Sequence, residues 1–423
     1  MLFSLACTAV TLDWTADEDG RDAGTEHVGP PIGVSDTAVE EVGGPGDTAE
    51  EVQEDPWTRG DTLFSPDVIH ELALQVPPAS LSSLTSQPFE YTEATLLAEG
   101  EELVVGIRIK GSSSYDDIYG KPSLKVKVNW LDEGQTFHGY KKFNLHNQTY
   151  DPSLMSEDLM LRMFRDADLP APRSGYAWLT VNGQAYGLYS VIEPYSDQFL
   201  ARWFDDNDGN LYEDGENSCD FDSCGCFEAE EYDEGDDDAL FAMCQAVAVE
   251  DASWEEAARQ HWDWDRLVGF MAMEAAIGHW DSYSYDLSNF RIYHEPTLDQ
   301  WTMLVSGTDL GFSYRPWSDP DCGDYANDPD GYDMGLIAAK CELSETCQAE
   351  FVAGVLAVAD QLEAMDTTTT VQAAAERIRE RVYEDDRKRY SNGDFEEHVA
   401  CVTAWLDQRP GELRSWAQAY AAK

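Results

Sequence analysis

The chain has 423 residues, and 27 Lys+Arg stand against 83 Asp+Glu, a formal net charge of −56 at pH 7. A polyanion of that strength repels phosphate backbones and anionic lipid, which excludes nucleic-acid binding through a basic face and charge-driven attachment to a membrane surface. A hydrophobic fraction of 43%, with 13 Trp, 20 Tyr and 16 Phe, excludes a wholly disordered acidic chain and allows a sizeable core in one large domain or two small ones.

At the amino end, Leu2–Ala6 places apolar and small residues directly before Cys7. That order is similar to the end of a bacterial lipoprotein signal, in which the Cys carries lipid and becomes the first mature residue. The apolar stretch is shorter than the usual ~7–15 residues, and no basic residue precedes it. Residues 8–62 are rich in Asp, Glu, Gly, Pro, Thr and Val without helical or strand period, so an acidic solvated tether is expected there. An anchor, a tether and a folded domain from residue 63 to 423 together suit an exported protein whose only membrane link is lipid at Cys7.

Val104–Lys110 reads as a strand. Ser123–Trp130 alternates, with Leu124, Val126 and Val128 on one side and Ser123, Lys125, Lys127 and Asn129 on the other. Asp151-Pro152-Ser153 signals the start of a helix over Ser153–Ala167, and Leu169-Pro170-Ala171-Pro172 stops it. Tyr176–Val181 and Ala185–Ile192 flank Asn182-Gly183, the favoured hairpin turn. Residues 205–238 are about half acidic, more than a packed element tolerates, and read as a loop or insertion. Asp263–Ala276 is a predicted helix, Phe290–Tyr293 and Trp301–Val305 a predicted strand pair. Phe351–Glu363, Val371–Tyr383, Asp394–Leu406 and Pro410–Ala421 are predicted helices. The order predicts an α+β architecture with a β-rich front lobe and a mainly helical back lobe.

Of the 9 Cys, all but Cys7 form an even set, which suits disulfides in an exported chain. The alternative is a metal site at Cys219, Cys224 and Cys226. Its C-x4-C-x-C spacing lacks the paired pattern of zinc sites, and no His follows nearby. Asp205–Asn210 and Asn327–Gly331 are oxygen-rich turns that could take Ca²⁺, though neither fits the EF-hand register. His138, His146, His261 and His294 are scattered and suggest no His-based site.

Two groups of residues point to chemistry. Arg108, Lys110, Lys121, Lys125, Lys127, Lys141 and Lys142 crowd one short region of a chain poor in cations, beside Gly111-Ser112-Ser113-Ser114. Such a patch would focus an anion; the alternative is a solvated strand face with ordinary ion pairs. In the second group, Asp281, Asp286 and Asp309 repeat the order and spacing of protein kinases. There a loop Asp accepts the substrate hydroxyl proton, a metal-binding residue lies five positions on, and a further Asp after a hairpin holds Mg²⁺. Hard carboxylate oxygens suit that ion.

The run Gly106-x-Arg108-x-Lys110-Gly111, then Lys121-Pro122-Ser123-Leu124-Lys125-x-Lys127, resembles the opening of the spore coat protein H (CotH) family of atypical kinases. Phe143-Asn144-Leu145, Val181-Asn182-Gly183-x-x-Tyr186-Gly187-Leu188-Tyr189 with Glu193, Gly209-Asn210-Leu211-Tyr212, Trp280-Asp281-Ser282-Tyr283 and Asn289-Phe290-x-x-Tyr293 are similar too, in one order from about Leu63 to Ala421. The resemblance implies a kinase-like fold that binds ATP with Mg²⁺ or Mn²⁺ and phosphorylates Ser or Thr of a protein substrate. It implies Asp281 as catalytic base and Asp286, Asn289 and Asp309 as metal-binding residues. The nucleotide-binding residues would be Lys125, then Lys127 and Lys110, with Glu157 as partner of the phosphate-binding Lys, and Glu193. The family's Pro-Trp-Asp-x-Asp run is Val305-Ser306-Gly307-Thr308-Asp309 here, so Gly307 replaces an Asp. Asp286 stands where Asn is common. These departures leave open a structural or adhesive protein that keeps the fold without turnover, or a calcium-stabilised coat module.

Overall fold

In the computed structural model, which describes residues 57–422 except 112, 216–218, 223, 232–236, 251–252 and 315–327, the front of the chain closes into a barrel. Its strands are β1 (Ile69–Gln75), β2 (Thr92–Ala98), β3 (Glu101–Lys110), β4 (Ser123–Lys127), β5 (Lys142–His146), β6 (Ser174–Val181) and β7 (Gln184–Ile192). They run in the order β1-β2-β3-β4-β5-β7-β6, and β1 closes the ring by pairing parallel to β6, from Ile69 against Tyr176 to Leu74 against Val181. Helix α1 (Pro78–Ser86) joins β1 to β2, and α2 (Ser156–Asp166) joins β5 to β6.

The barrel follows from the alternation. Leu124, Val126, Phe143, Leu145, Ile107 and Ile109 fill its interior, so Arg108, Lys110, Lys125, Lys127, Asn144 and His146 face outward. Strand β4 stops at Lys127, short of Trp130, although Val128 still donates to the Lys141 carbonyl at 2.7 Å. The β6–β7 hairpin turns through Asn182 (φ +50°) and Gly183 (φ +77°), as the Asn-Gly pair predicts. The start of α2 owes its geometry to Asp151. One carboxylate oxygen accepts from Ser153 N at 2.8 Å and the other from Ser156 N at 2.8 Å.

After α3 (Asp197–Trp203) comes a second sheet made of β8 (Leu211–Asp214), β9 (Phe227–Glu231), β10 (Phe290–Glu295) and β11 (Gln300–Val305), in the order β11-β10-β8-β9. The acidic segment read as a loop therefore supplies two strands. Its charge is tolerated because Arg291 on β10 answers Glu213 and Glu230 across the sheet. Cys219–Cys226 and Cys224–Cys244 are disulfides, as is Cys341–Cys347, and Cys401 is also disulfide-bonded. The metal reading of Cys219, Cys224 and Cys226 falls, since each sulfur is already bonded. Cys322 lies outside the described residues, as do Cys7 and most of the expected tether.

The remaining helices are α4 (Asp237–Ala248), α5 (Trp254–Ala258), α6 (Trp264–Ile277), α7 (Tyr283–Asp286), α8 (Leu336–Glu342), α9 (Glu345–Ala364), α10 (Thr367–Glu384) and α11 (Asn392–Tyr420). The last was expected as two helices broken before Pro410. It is continuous, with Pro410 inside. An interior Pro costs a helix ~3 kcal/mol or more. Offsetting that, Leu406, Leu413 and Trp416 are buried on either side of it, and the Arg409 guanidinium donates to the Ala276 and Ala275 carbonyls at 2.8 and 3.0 Å. One apolar core joins α2, the second sheet and the helices, and another fills the barrel. The architecture is α+β. Among the described residues, no helix is long and apolar enough to cross a membrane.

Candidate active site

The outer face of β3–β5 carries two rows of polar groups. Register sets Arg108, Lys125 and Asn144 in one row and Lys110, Ser123 and the end of β5 at His146 in the next. In the second row, Lys110 Nζ donates to His146 Nε2 at 2.6 Å, and His146 Nδ1 donates to Glu157 Oε1 at 2.8 Å. Gln148 Nε2 holds the other Glu157 oxygen. Burial, then the neighbouring Lys125 charge, pulls the Lys110 ammonium down to about 8. Burial works to raise Glu157, yet His146 and Lys110 hold it below the usual carboxylate range.

The expected ranking put Lys125 first. Glu157 is instead linked to Lys110, through His146. Lys125 is pulled down by burial, then by Arg108, and its acidic neighbours are Glu230 and Glu213. Those two carboxylates flank Arg291, at 2.7 and 2.9 Å. Lys127 lies over the Tyr91 and Trp130 rings, 5.8 and 6.0 Å from their centroids, away from Glu157. Glu193 is fully engaged elsewhere. It accepts from Arg173 Nη2 at 3.0 Å, Arg202 Nη2 at 2.6 Å and the Tyr140 hydroxyl, and so fastens the end of β7 to α3.

The aspartates converge through the β10–β11 hairpin. Phe290 pairs with Val305, and Ser306 N donates to the Asn289 carbonyl at 3.0 Å. The Asp281 loop and the 3₁₀ turn Thr308–Leu310 thereby leave the same end of the sheet. Asn289 Nδ2 donates to the Asp281 carbonyl at 2.8 Å, and Asn289 N donates to Asp214 at 2.8 Å. Asp286 is exposed at the end of α7, and its charge reaches Asp281. Burial raises Asp281 to about 6, with an Asn289 hydrogen bond opposing and Asp286 adding to the rise. Burial, then Glu157, Asp151 and Asp281, drives Asp309 well above the usual range. The charges of Glu157, Asp151 and Asp281 thus all bear on the buried Asp309.

Behind this loop, Glu274 on α6 is fully buried and accepts from Ser284 N at 3.1 Å and Ser284 Oγ at 2.6 Å. Burial lifts it to about 8, so it is neutral at pH 7. His279 Nε2 donates to the Gly307 carbonyl at 3.3 Å, tying the Asp281 loop to the Asp309 turn, and burial lowers that ring to about 4. Asp309 is further fixed from behind, since Phe312 N donates to the Ile277 carbonyl at 3.1 Å and Ser313 N to Gly278 at 3.0 Å.

Sequence reasoning missed His146, Asp151, Asp214, Glu274 and Arg291. His146 had a signal, because the Phe143/Leu145 alternation places it on the polar face with Lys142 and Asn144. Arg291 likewise sits on the polar side of a predicted strand. Glu274 had none, being a single acid within an apolar helix.

The profile of a family described as CotH kinase protein matches residues 107–413. Inner spore coat protein H of Bacillus subtilis is 27% identical over 109 residues, which cover 26% of this chain and 29% of that relative. Spore coat protein homolog 1 of Rhizopus delemar is 23% identical over 261 residues, 57% of this chain and 42% of the relative. Invasin CotH7 of the same organism is 24% identical over 262 residues, 57% and 43% respectively. The match spans less than half the length of each of these relatives.

Proposed function

This chain belongs to the CotH family, and from that premise we propose that it is an ATP-dependent protein kinase that transfers the γ-phosphoryl group to Ser or Thr of exported or surface proteins. The observation that carries the reading is that the charges of Glu157, Asp151 and Asp281 all bear on the buried Asp309, beside the Lys110–His146–Glu157 chain. In this reading the barrel is the nucleotide-covering lobe and the helical half is the substrate lobe.

The residues fit a divalent cation. Asp309 is raised by the negative groups around it, a repulsion that positive charge relieves, and the donors are hard carboxylate oxygens suited to Mg²⁺ or Mn²⁺. Asp309 would hold it, with Asp286 and the Asn289 amide oxygen as further donors, which leaves Asp281 free. When bound, such an ion neutralises charge on the phosphates. Lys110, steadied by His146 and Glu157, places an ammonium toward the nucleotide. Asp281, on a loop fixed by Asn289 and Glu274, orients the substrate hydroxyl and accepts its proton.

Export is part of the proposal. Disulfides within the domain suit an oxidising compartment, and the named relatives are spore coat proteins and an invasin. The proposed anchor at Cys7 and most of the acidic tether fall in residues 1–56, outside the described residues. Calcium at Asp205–Asn210 stays a lesser proposal, and the Asn327–Gly331 turn begins on a residue outside those described.

A second reading has its own observation. Gly307 replaces a family Asp, and the Asn289 side chain fills the space beside it, which suits a coat or adhesive protein that keeps the fold without turnover. Incubation with labelled ATP and Mg²⁺ or Mn²⁺, beside Asp281→Ala and Asp309→Ala, separates the two. Label on the wild type alone supports the kinase. No label and no metal-dependent nucleotide binding supports the structural protein.

A further inference from the structure

A second cluster of chemistry-bearing side chains lies at the opposite end of β3 from Lys110. His70 sits on β1, Glu99 in the β2–β3 turn, and His138 in the turn between Phe137 and Tyr140. Their ligating atoms all lie within 4.8 Å of one another. His70 Nδ1 is 2.9 Å from Glu99 Oε1, and His138 Nε2 is 3.2 Å from Glu99 Oε2. The two imidazole rings are 5.5 Å apart.

The hydrogen bonding makes this more than a polar contact. His70 Nε2 donates to the Thr62 carbonyl at 3.0 Å, which commits the ring proton to that side. Neutral His70 therefore turns the lone pair of Nδ1 toward a carboxylate oxygen. Two acceptors at that distance need positive charge between them, from a second ring proton or from a metal ion. His138 Nε2 is buried and makes no hydrogen bond among the described residues, despite its approach to the other Glu99 oxygen. A backbone carbonyl that fixes one imidazole nitrogen while the other faces a cation is the usual outer-shell arrangement of a His metal ligand.

The turns support the same reading. Glu99 (φ +53°) precedes Gly100 (φ +86°), and His138 (φ +49°) precedes Gly139 (φ +78°). Tight turns of this shape favour Asn, Asp or Gly at the first position. The Glu there accepts backbone strain, and both side chains aim at His70.

We infer that His70, Glu99 and His138 form a binding site for a divalent transition cation of the zinc type. Two imidazole nitrogens and one carboxylate suit a borderline-soft ion, and three protein ligands leave a fourth position for water. The Glu99 side chain is about half exposed (46%), so that position opens to solvent. A bound ion would clamp the start of β1, the β2–β3 turn and the 137–140 turn at one end of the barrel. The site shares no residue with the Asp281–Asp309 cluster and does not rest on the kinase reading.

The test is titration of the full chain, stripped by chelator, with Co²⁺ followed in the visible region, then with Zn²⁺ in competition. The expected result is one equivalent with the bands of a four-coordinate cobalt site, displaced by Zn²⁺. His138→Asn, which suits the left-handed turn, and Glu99→Gln should each weaken that equivalent by about tenfold or more. Asp309→Asn should leave it in place. Circular dichroism confirms that the variants fold. No cobalt bands, or the same titration in His138→Asn, overturns the assignment and leaves His70 in a plain hydrogen bond with Glu99. Loss of the equivalent in Asp309→Asn alone overturns it too.

Discussion

The amide oxygen of Asn289 occupies the space into which a Cβ on Gly307 would project. Both residues are in left-handed backbone, at φ +55° and +59°. The side chain of one stands in for that of the other beside Asp281. Gly307→Asp must therefore expel Asn289 from its bond to the Asp281 carbonyl, and should destabilise the protein by about 1–3 kcal/mol, the range for overpacking. Combined with Asn289→Ala, the same substitution should cost less than the sum of the two. Thermal denaturation of the single and double variants reads the non-additivity.

Lys110→Ala should weaken nucleotide binding by about tenfold or more, ~1.4 kcal/mol, while Lys127→Ala changes it little. His146→Ala should follow Lys110→Ala, because the imidazole links the ammonium to Glu157. The free Lys110 ammonium titrates near 8. Affinity for ATP should therefore fall as pH rises past 8, in the wild type and not in Lys110→Ala. Calorimetric titration across pH measures this.

Asp281 must be ionised to accept a proton, and burial raises it to about 6. Phosphotransfer should be flat above that pH and fall about tenfold per unit below it. A rate that stays level down to pH 4.5 would remove Asp281 from the role of base.

Glu274 is neutral in the folded protein up to about pH 8 and ionised in the unfolded chain above about 4.5. Its raised value means that the stability it contributes is complete below pH ~4.5 and lost as pH climbs through ~8. Glu274→Gln keeps a neutral acceptor for Ser284. Relative to that variant, the wild type should lose stability between pH 5 and 8 with a slope of up to ~1.4 kcal/mol per pH unit. Paired melts at several pH values decide the matter.

Lys121 and Asp385 form a buried pair at 2.7 Å that fastens the β3–β4 connection to the end of α10, and Asp385 also accepts from Leu188 N at 3.0 Å. Asp385→Ala strands a buried ammonium, a change that costs ~3–5 kcal/mol. Urea denaturation should show that loss, and Lys121→Met combined with Asp385→Leu should recover part of it.

Much of the barrel was legible because alternation over Ser123–Lys127 and the Asn-Gly turn are local signals with one structural meaning each. The acidic strands were not, since their charge is answered by Arg291, which lies far along the chain from both Glu213 and Glu230. Pro410 misled for a similar reason, because the packing that holds α11 together around it comes from elements distant in sequence, among them α6 through Arg409. At the site, Asp281, Asp286 and Asp309 were singled out from order and spacing, and Asn289 and Glu157 from the family resemblance; the charges of Asp281 and Glu157 bear on Asp309. The link from Lys110 to Glu157 was hidden, because it passes through a histidine that only barrel register brings to both. His138 looked scattered because only barrel closure brings its turn beside His70 on β1 and Glu99 in the β2–β3 turn.

The Cys219–Cys226 and Cys224–Cys244 bonds brace the acidic hairpin whose Glu213 and Glu230 grip Arg291. A reducing cytosol keeps such sulfurs as thiols. The newly made chain then carries a strongly self-repelling ribbon with no covalent staple. Under the proposed export, oxidation outside the cytosol sets that staple, so the compartment itself acts as a maturation step.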